Sequence, residues 1–212
     1  MPHIVLLGDS IFDNAAYVRP GEPDVVRQLR DKLPAGAKAT LAAVDGVTTA
    51  GVARQFERLP ADATHLVVSA GGNDALGNIG VLEDSSRSIA DALTRLAAIG
   101  DGFGRGYRAM LGSVLDRGRP TALCTIYDPR YPDPRFQRLA VAGLVLFNEV
   151  ITRAAFAHGL PVLDLRLICD NDADFANPIE PSAQGGDKIA AAIARLVAEH
   201  DFGRRRTEVF VR

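Results

Sequence analysis

Cysteine is scarce in this chain of 212 residues, with only Cys124 and Cys169. Two cysteines do not make a disulfide framework, so a hydrophobic core must hold the fold, and free thiols are the expectation. Cys124 sits in an apolar run and reads as a small core residue. Charge of one sign is also lacking. Lys plus Arg number 24 and Asp plus Glu 26, a net charge of -2. That balance points to neither a nucleic-acid nor a membrane partner. Long hydrophobic runs are missing near the start. The apolar stretch at residues 4–7 is far too short for a signal peptide or a membrane span, so a cytoplasmic location is expected. Neither the Gly-x-x-x-x-Gly-Lys loop nor the Gly-x-Gly-x-x-Gly fingerprint occurs, which argues against a nucleotide-binding role. Repeats, linkers and low-complexity stretches are absent too.

The chain does have enough apolar residues for a core. Hydrophobic content of 47% with 24% charged residues fits a soluble globular protein, and the length fits one domain. That domain is placed at residues 1–202, followed by a tail at 203–212. Strand-like runs at residues 4–7, 39–44, 65–69, 121–127 and 161–165 alternate with helical patterns at 24–33, 48–59, 85–98, 107–116, 136–158 and 182–199. The glycines between residues 100 and 104 predict a break between the third and fourth helices, and Gly143 predicts a bend in the fifth. Five strands separated by helices predict an α/β three-layer sandwich. Its five-stranded parallel sheet carries helices on both faces, in the flavodoxin-like order 2-1-3-4-5. The tail joins Arg204, Arg205 and Arg206 to an apolar Val209-Phe210-Val211. Two roles stay open for it: disorder, or pairing with another subunit in a homo-oligomer.

In such sheets ligands bind beyond the carboxyl ends of the strands. Three polar turns follow strands there. Ser10 lies in Gly8-Asp9-Ser10 after strand one, where a glycine turn exposes a hydroxyl near free backbone N–H groups. Gly46 follows strand two in Asp45-Gly46, and without a Cβ its N–H can approach a substrate oxygen. Asn73 follows strand three in Gly71-Gly72-Asn73-Asp74, and its amide can donate to a developing oxyanion. Each turn alone also suits ordinary turn chemistry.

Together these residues resemble the SGNH hydrolase family, also called GDSL esterases and lipases, over residues 3–199. Leu7-Gly8-Asp9-Ser10 matches the nucleophile block, Gly46 the glycine block and Asn73 the asparagine block. The resemblance implies an acyl hydrolase with a serine nucleophile and no cofactor or metal, acting on a small-molecule ester. Its oxyanion hole would be the N–H groups of Ser10 and Gly46 and the side chain of Asn73.

The fourth block departs from the pattern. Where the family has Asp and, three residues on, His, this chain has Asn177 and Glu180 in Asn177-Pro178-Ile179-Glu180-Pro181-Ser182. No histidine replaces the lost one. His3 precedes the first strand and His65 begins the third, both toward the opposite sheet edge, and His158 and His200 end helices. All four read as surface or capping residues. Three readings of Glu180 compete. It is the general base, with acidity weakened by an apolar setting and with Asn177 holding its carboxylate. It is structural, favouring the N-terminus of the last helix in a protein that binds an ester, acyl or carbohydrate ligand without cleaving it. Or another acid, Asp9, Asp13 or Asp128, supplies the base, although Asp128 equally suits a turn or a pair with Arg130.

Overall fold

The computed structural model describes residues 1–211. Five strands form the expected sheet: β1 (His3–Gly8), β2 (Lys38–Leu41), β3 (His65–Ser69), β4 (Thr121–Cys124) and β5 (Val162–Leu163). They are parallel and ordered β2-β1-β3-β4-β5. Ile4, Val5, Leu6 and Leu7 have no exposure, as a central strand covered on both faces requires. Alternation along β1 divides them. Ile4 and Leu6 join a core with α1 (Val25–Lys32) and the last helix; Val5 and Leu7 join a core with the two long helices. The result is the three-layer α/β sandwich the pattern predicts.

The helices differ from expectation in two places. The glycine-rich stretch does not break the chain. After the short α2 (Gly72–Leu76), one helix, α3 (Ile89–Leu115), runs through it. Each interior glycine costs about 1 kcal/mol relative to alanine. Phe103, Tyr107, Met110, Leu111 and Val114 bury one continuous face and offset that cost. Residues Thr49–Arg58 wind as 3₁₀ turns instead of an α-helix. The inward residues Thr49, Val52 and Gln55 recur every third position, the period that stacks on one face of a 3₁₀-helix.

Helix α4 (Pro134–His158) is a single helix through Gly143. By length and composition it could cross a membrane. Here it lays Phe147, Ile151 and Ala155 into the core against α3. A short α5 (Leu165–Ile168) leads to a two-stranded antiparallel hairpin, β6 (Phe175–Asn177) and β7 (Glu180–Pro181). Helix α6 (Ala183–Glu199) follows at once, capped by Ser182 Oγ accepting from the Gly185 N–H.

The tail is ordered against its own chain. Its β8 (Val209–Phe210) pairs parallel to β5 and adds a sixth strand to the chain's own sheet. Phe210 is buried beneath the Arg195 guanidinium, His200 Nδ1 meets Glu208 Oε2 at 2.6 Å, and Arg195 donates to the Val211 carbonyl at 2.6 Å. These contacts supply what a fraying terminus lacks. Cys124 and Cys169 are free and buried.

Candidate active site

The Gly8-Asp9-Ser10 turn is held from three sides. Gly8 ends β1 at φ +127°, and a Cβ there would lie 1.6 Å from the Ser69 carbonyl oxygen. Only glycine lets the strand pass so close to β3. Gln55 then clamps Gly8, accepting from its N–H at 2.8 Å and donating to its carbonyl at 2.6 Å. Asp9 is 3% exposed, and its Oδ1 accepts from the Ile11 N–H. Ser10 is thereby fixed at the carboxyl end of the sheet. Its own N–H has no partner among the described residues.

The opposite wall is the β6–β7 hairpin. The Asn177 side-chain oxygen accepts from the N–H groups of Ile179 and Glu180 at 2.9 and 3.0 Å, closing an Asx turn. The expectation that Asn177 holds the Glu180 carboxylate is thus corrected: it holds the backbone beneath it. Tyr127 Oη donates to the Ile179 carbonyl at 2.6 Å, and Asn14 Nδ2 to the Pro181 carbonyl at 3.2 Å. So braced, Glu180 turns inward. Ser10 Oγ donates to Glu180 Oε1 at 3.0 Å.

The electrostatics of this contact are unusual for a carboxylate. Glu180 is 5% exposed, and Oε2 is buried with no partner among the described residues. Burial raises its pKa from 4.5 to about 7, the Ser10 hydrogen bond opposes that rise, and the negative charge of Asp45 adds to it. Asp9 is likewise pushed up to about 7, chiefly by burial and further by Glu180. Two carboxyl groups near neutrality thus flank one serine.

Asn73 is the second residue of α2. Its Nδ2 donates to the Val47 carbonyl at 3.0 Å, which leaves its second amide hydrogen free. The glycine loop is tied to the same helix, because Asp74 accepts from the Thr49 N–H at 2.9 Å and from its hydroxyl at 2.8 Å. Gly46 has φ +76°, and its N–H has no partner among the described residues. Asp45 beside it is held by its N–H to Asp13 Oδ2 at 3.0 Å and by Tyr17 Oη donating to its carboxylate at 2.7 Å.

Ser10, Asn73, Glu180 and Asp9 line one cavity of about 110 Å³. Gly46, Asp13 and Asp128 do not line it. Asp13 is spent on the Asp45 N–H. Arg130 does not pair with the Asp128 carboxylate; it donates to the Asp128 carbonyl and forms an ion pair with Asp172. His3 is buried and not superficial, which corrects the expectation; His200 is also buried, and it caps the C-terminus of α6 as expected. His3 bridges Asp62 and Thr40, and His200 bonds Glu208, so each buried ring has polar partners. No histidine lines the cavity. Sequence reasoning missed Gln55, Asn14 and Tyr127, whose partners at this site lie 47 or more residues away. Among the described residues no group of His, Cys, Asp and Glu could hold a metal ion.

Known proteins share this fold. The family model of the GDSL-like Lipase/Acylhydrolase family matches residues 6–201. No curated protein sequence matches the chain. Among solved structures, the lipase Lip_vut3 from a goat rumen metagenome superposes with a TM-score of 0.68 at 17% identity, covering 90% of this chain and 95% of that one. Phospholipase A1 from Streptomyces albidoflavus gives 0.66 at 14% identity, with 94% and 99% covered. The acetyl xylan esterase AlAXEase gives 0.65 at 15% identity, with 93% and 100% covered. At these identities the superpositions speak for the fold, and the family match carries the chemistry: the chain belongs to the GDSL-like lipase/acylhydrolase family and is a hydrolase of ester bonds.

Proposed function

We propose that this hydrolase works through an acyl-enzyme on Ser10, with Glu180 as the general base. The observation that carries the reading is the 3.0 Å contact between Ser10 Oγ and Glu180 Oε1, a distance suited to direct proton transfer. An ordinary glutamate is too weak a base for an alcohol. Held near pH 7, Glu180 has an affinity for protons like that of an imidazole.

Ser10 Oγ attacks the ester carbonyl carbon as its proton passes to Glu180. The carbonyl oxygen becomes an oxyanion facing three donors, the N–H groups of Ser10 and Gly46 and the free amide hydrogen of Asn73. Collapse breaks the bond to the alcohol, which leaves with the proton from Glu180. Water then attacks the acyl-enzyme, gives its proton to Glu180, and releases the acid as Ser10 regains its hydrogen. Asn177 serves this scheme through the backbone, by fixing the turn that carries the base. The free, buried thiols of Cys124 and Cys169 suit a reducing compartment, and we place the enzyme in the cytoplasm.

Ser10→Ala should abolish hydrolysis of short acyl esters, and a fluorophosphonate probe should label wild-type protein at Ser10 only. Turnover by the variant equal to that of the wild type, or no labelling, overturns the nucleophile assignment.

A further inference from the structure

The acids around Ser10 have no counter-charge. Away from the site, acids meet cations: Asp62 pairs with Lys38, Asp164 with Arg166 and Asp174 with Lys188. Asp9, Asp13, Asp45, Asp74 and Glu180 form no ion pair among the described residues. The strongest charges acting on Glu180, Asp9 and Tyr17 are other carboxylates.

Part of this group forms a rim beside Glu180. Asp13 accepts from the Asp45 N–H, and Tyr17 Oη donates to the Asp45 carboxylate. The same turn is tied to the hairpin that carries Glu180. Asn14 Nδ2 donates to the Pro181 carbonyl, and the Tyr17 N–H donates to the Asn14 carbonyl at 2.9 Å. Asp45 is exposed, and Asp13 and Tyr17 are partly buried, so the rim opens to solvent. Behind it Glu180, 5% exposed, lines the cavity with Oε2 unpartnered. A carboxylate so buried, with acids for neighbours, is short of positive charge.

We propose that the alcohol half of the substrate carries an ammonium group, which rests against Asp45, Asp13 and the Tyr17 ring and supplies the missing charge. This rests on the acyl-enzyme reading above and names the alcohol class of that same site. The proton path assigns the half. Glu180 hands its proton to the departing alcohol oxygen, so the alcohol half lies on the Glu180 side, where the rim stands. The cation is organic, because no group of His, Cys, Asp and Glu among the described residues could hold a metal ion. Charges of one sign beside a cleft concentrate the opposite charge before it docks. An exposed carboxylate contributes up to about fivefold, and a buried one with low-dielectric walls contributes more.

The test compares two acetates with purified wild-type protein. One is choline acetate, whose alcohol half ends in a trimethylammonium; the other is its neutral isostere, with carbon in place of nitrogen. Wild-type kcat/KM should favour the cationic ester by about tenfold or more, and the ratio should fall as salt is added. Asp45→Asn should cut the ratio by about threefold, and Asp45→Lys should bring it to about one or below. The ratio is the readout because kcat/KM for both esters reports the same free enzyme, so any change in Glu180 itself cancels. Methyl esters with the same two groups at the end of a short acyl chain should show no such preference. Equal turnover of the two acetates, a ratio that ignores Asp45, or a preference for charge on the acyl side alone overturns the ammonium assignment and leaves the Ser10 mechanism standing. No turnover of any of these esters overturns both.

Discussion

Replacing Glu180 with glutamine should remove activity and change the pH dependence of stability in a calculable way. The carboxyl is raised from 4.5 to about 7 in the folded protein. Between those values the folded chain holds a proton that the unfolded chain has released. Stability from this group is therefore full below the unfolded value and falls as pH rises through the folded one. At about 1.4 kcal/mol per unit, the loss between about pH 5 and pH 8.5 is about 2.5 kcal/mol. The glutamine side chain would carry no charge and escape that loss, and relief of Asp9, raised in part by Glu180, adds in the same direction. The new amide hydrogens would occupy the position where Oε2 has no partner, a cost of about 1–3 kcal/mol that does not vary with pH. The melting temperature of Glu180→Gln relative to wild type should therefore shift by about 5–10 °C in the variant's favour between those two pH values. Wild-type kcat/KM should climb through about pH 7, whereas the variant should lack that limb and lie about 10²–10⁴-fold lower. Thermal melts and ester hydrolysis across the pH range measure both. A melting difference that ignores pH, or a variant as active as wild type, would refute the account of Glu180 as a buried base.

Other perturbations separate the remaining parts. Under the proposed mechanism, in which its free amide hydrogen acts on the oxyanion, Asn73→Ala should lower kcat by about 10²–10³-fold with little change in KM; steady-state kinetics with a soluble ester would show this, and a pure KM effect would contradict it. Asp45→Asn should move the ascending limb of kcat/KM to lower pH, because the Asp45 charge helps hold Glu180 up. That displacement should shrink as salt is added, Asp45 being exposed, and a limb that does not move would deny the coupling. Gly8→Ala should lower the melting temperature by more than about 10 °C or prevent folding, since its Cβ would fall 1.6 Å from the Ser69 oxygen. A Gly8→Ala protein that melts like wild type would show that the β1–β3 approach relaxes freely.

Much of this protein is written locally. A short apolar run ended by glycine, such as Ile4–Leu7, reads as a covered strand, and its alternation with helical periods points to the parallel sandwich, with a strand order chosen from the few that right-handed crossovers leave. The Gly8-Asp9-Ser10 and Asn73 turns are legible because each places a polar group within a few residues of a strand end. By the resemblance, Asn177 and Glu180 are read at the places where the family pattern has Asp and His. What Glu180 does is another matter. Its partner is 170 residues away, and its raised pKa comes from burial between elements that meet only in the folded chain. The same limit explains α3, where glycines predict a break and packing against α4 overrides them. It explains the tail, where a parallel partner across the sheet turns an apparent appendage into β8. Periodicity and turn chemistry are properties of neighbours along the chain, and the sequence alone determines them. Desolvation, hydrogen-bond partners and the walls of a cleft arise between distant segments, and only the tertiary structure decides them.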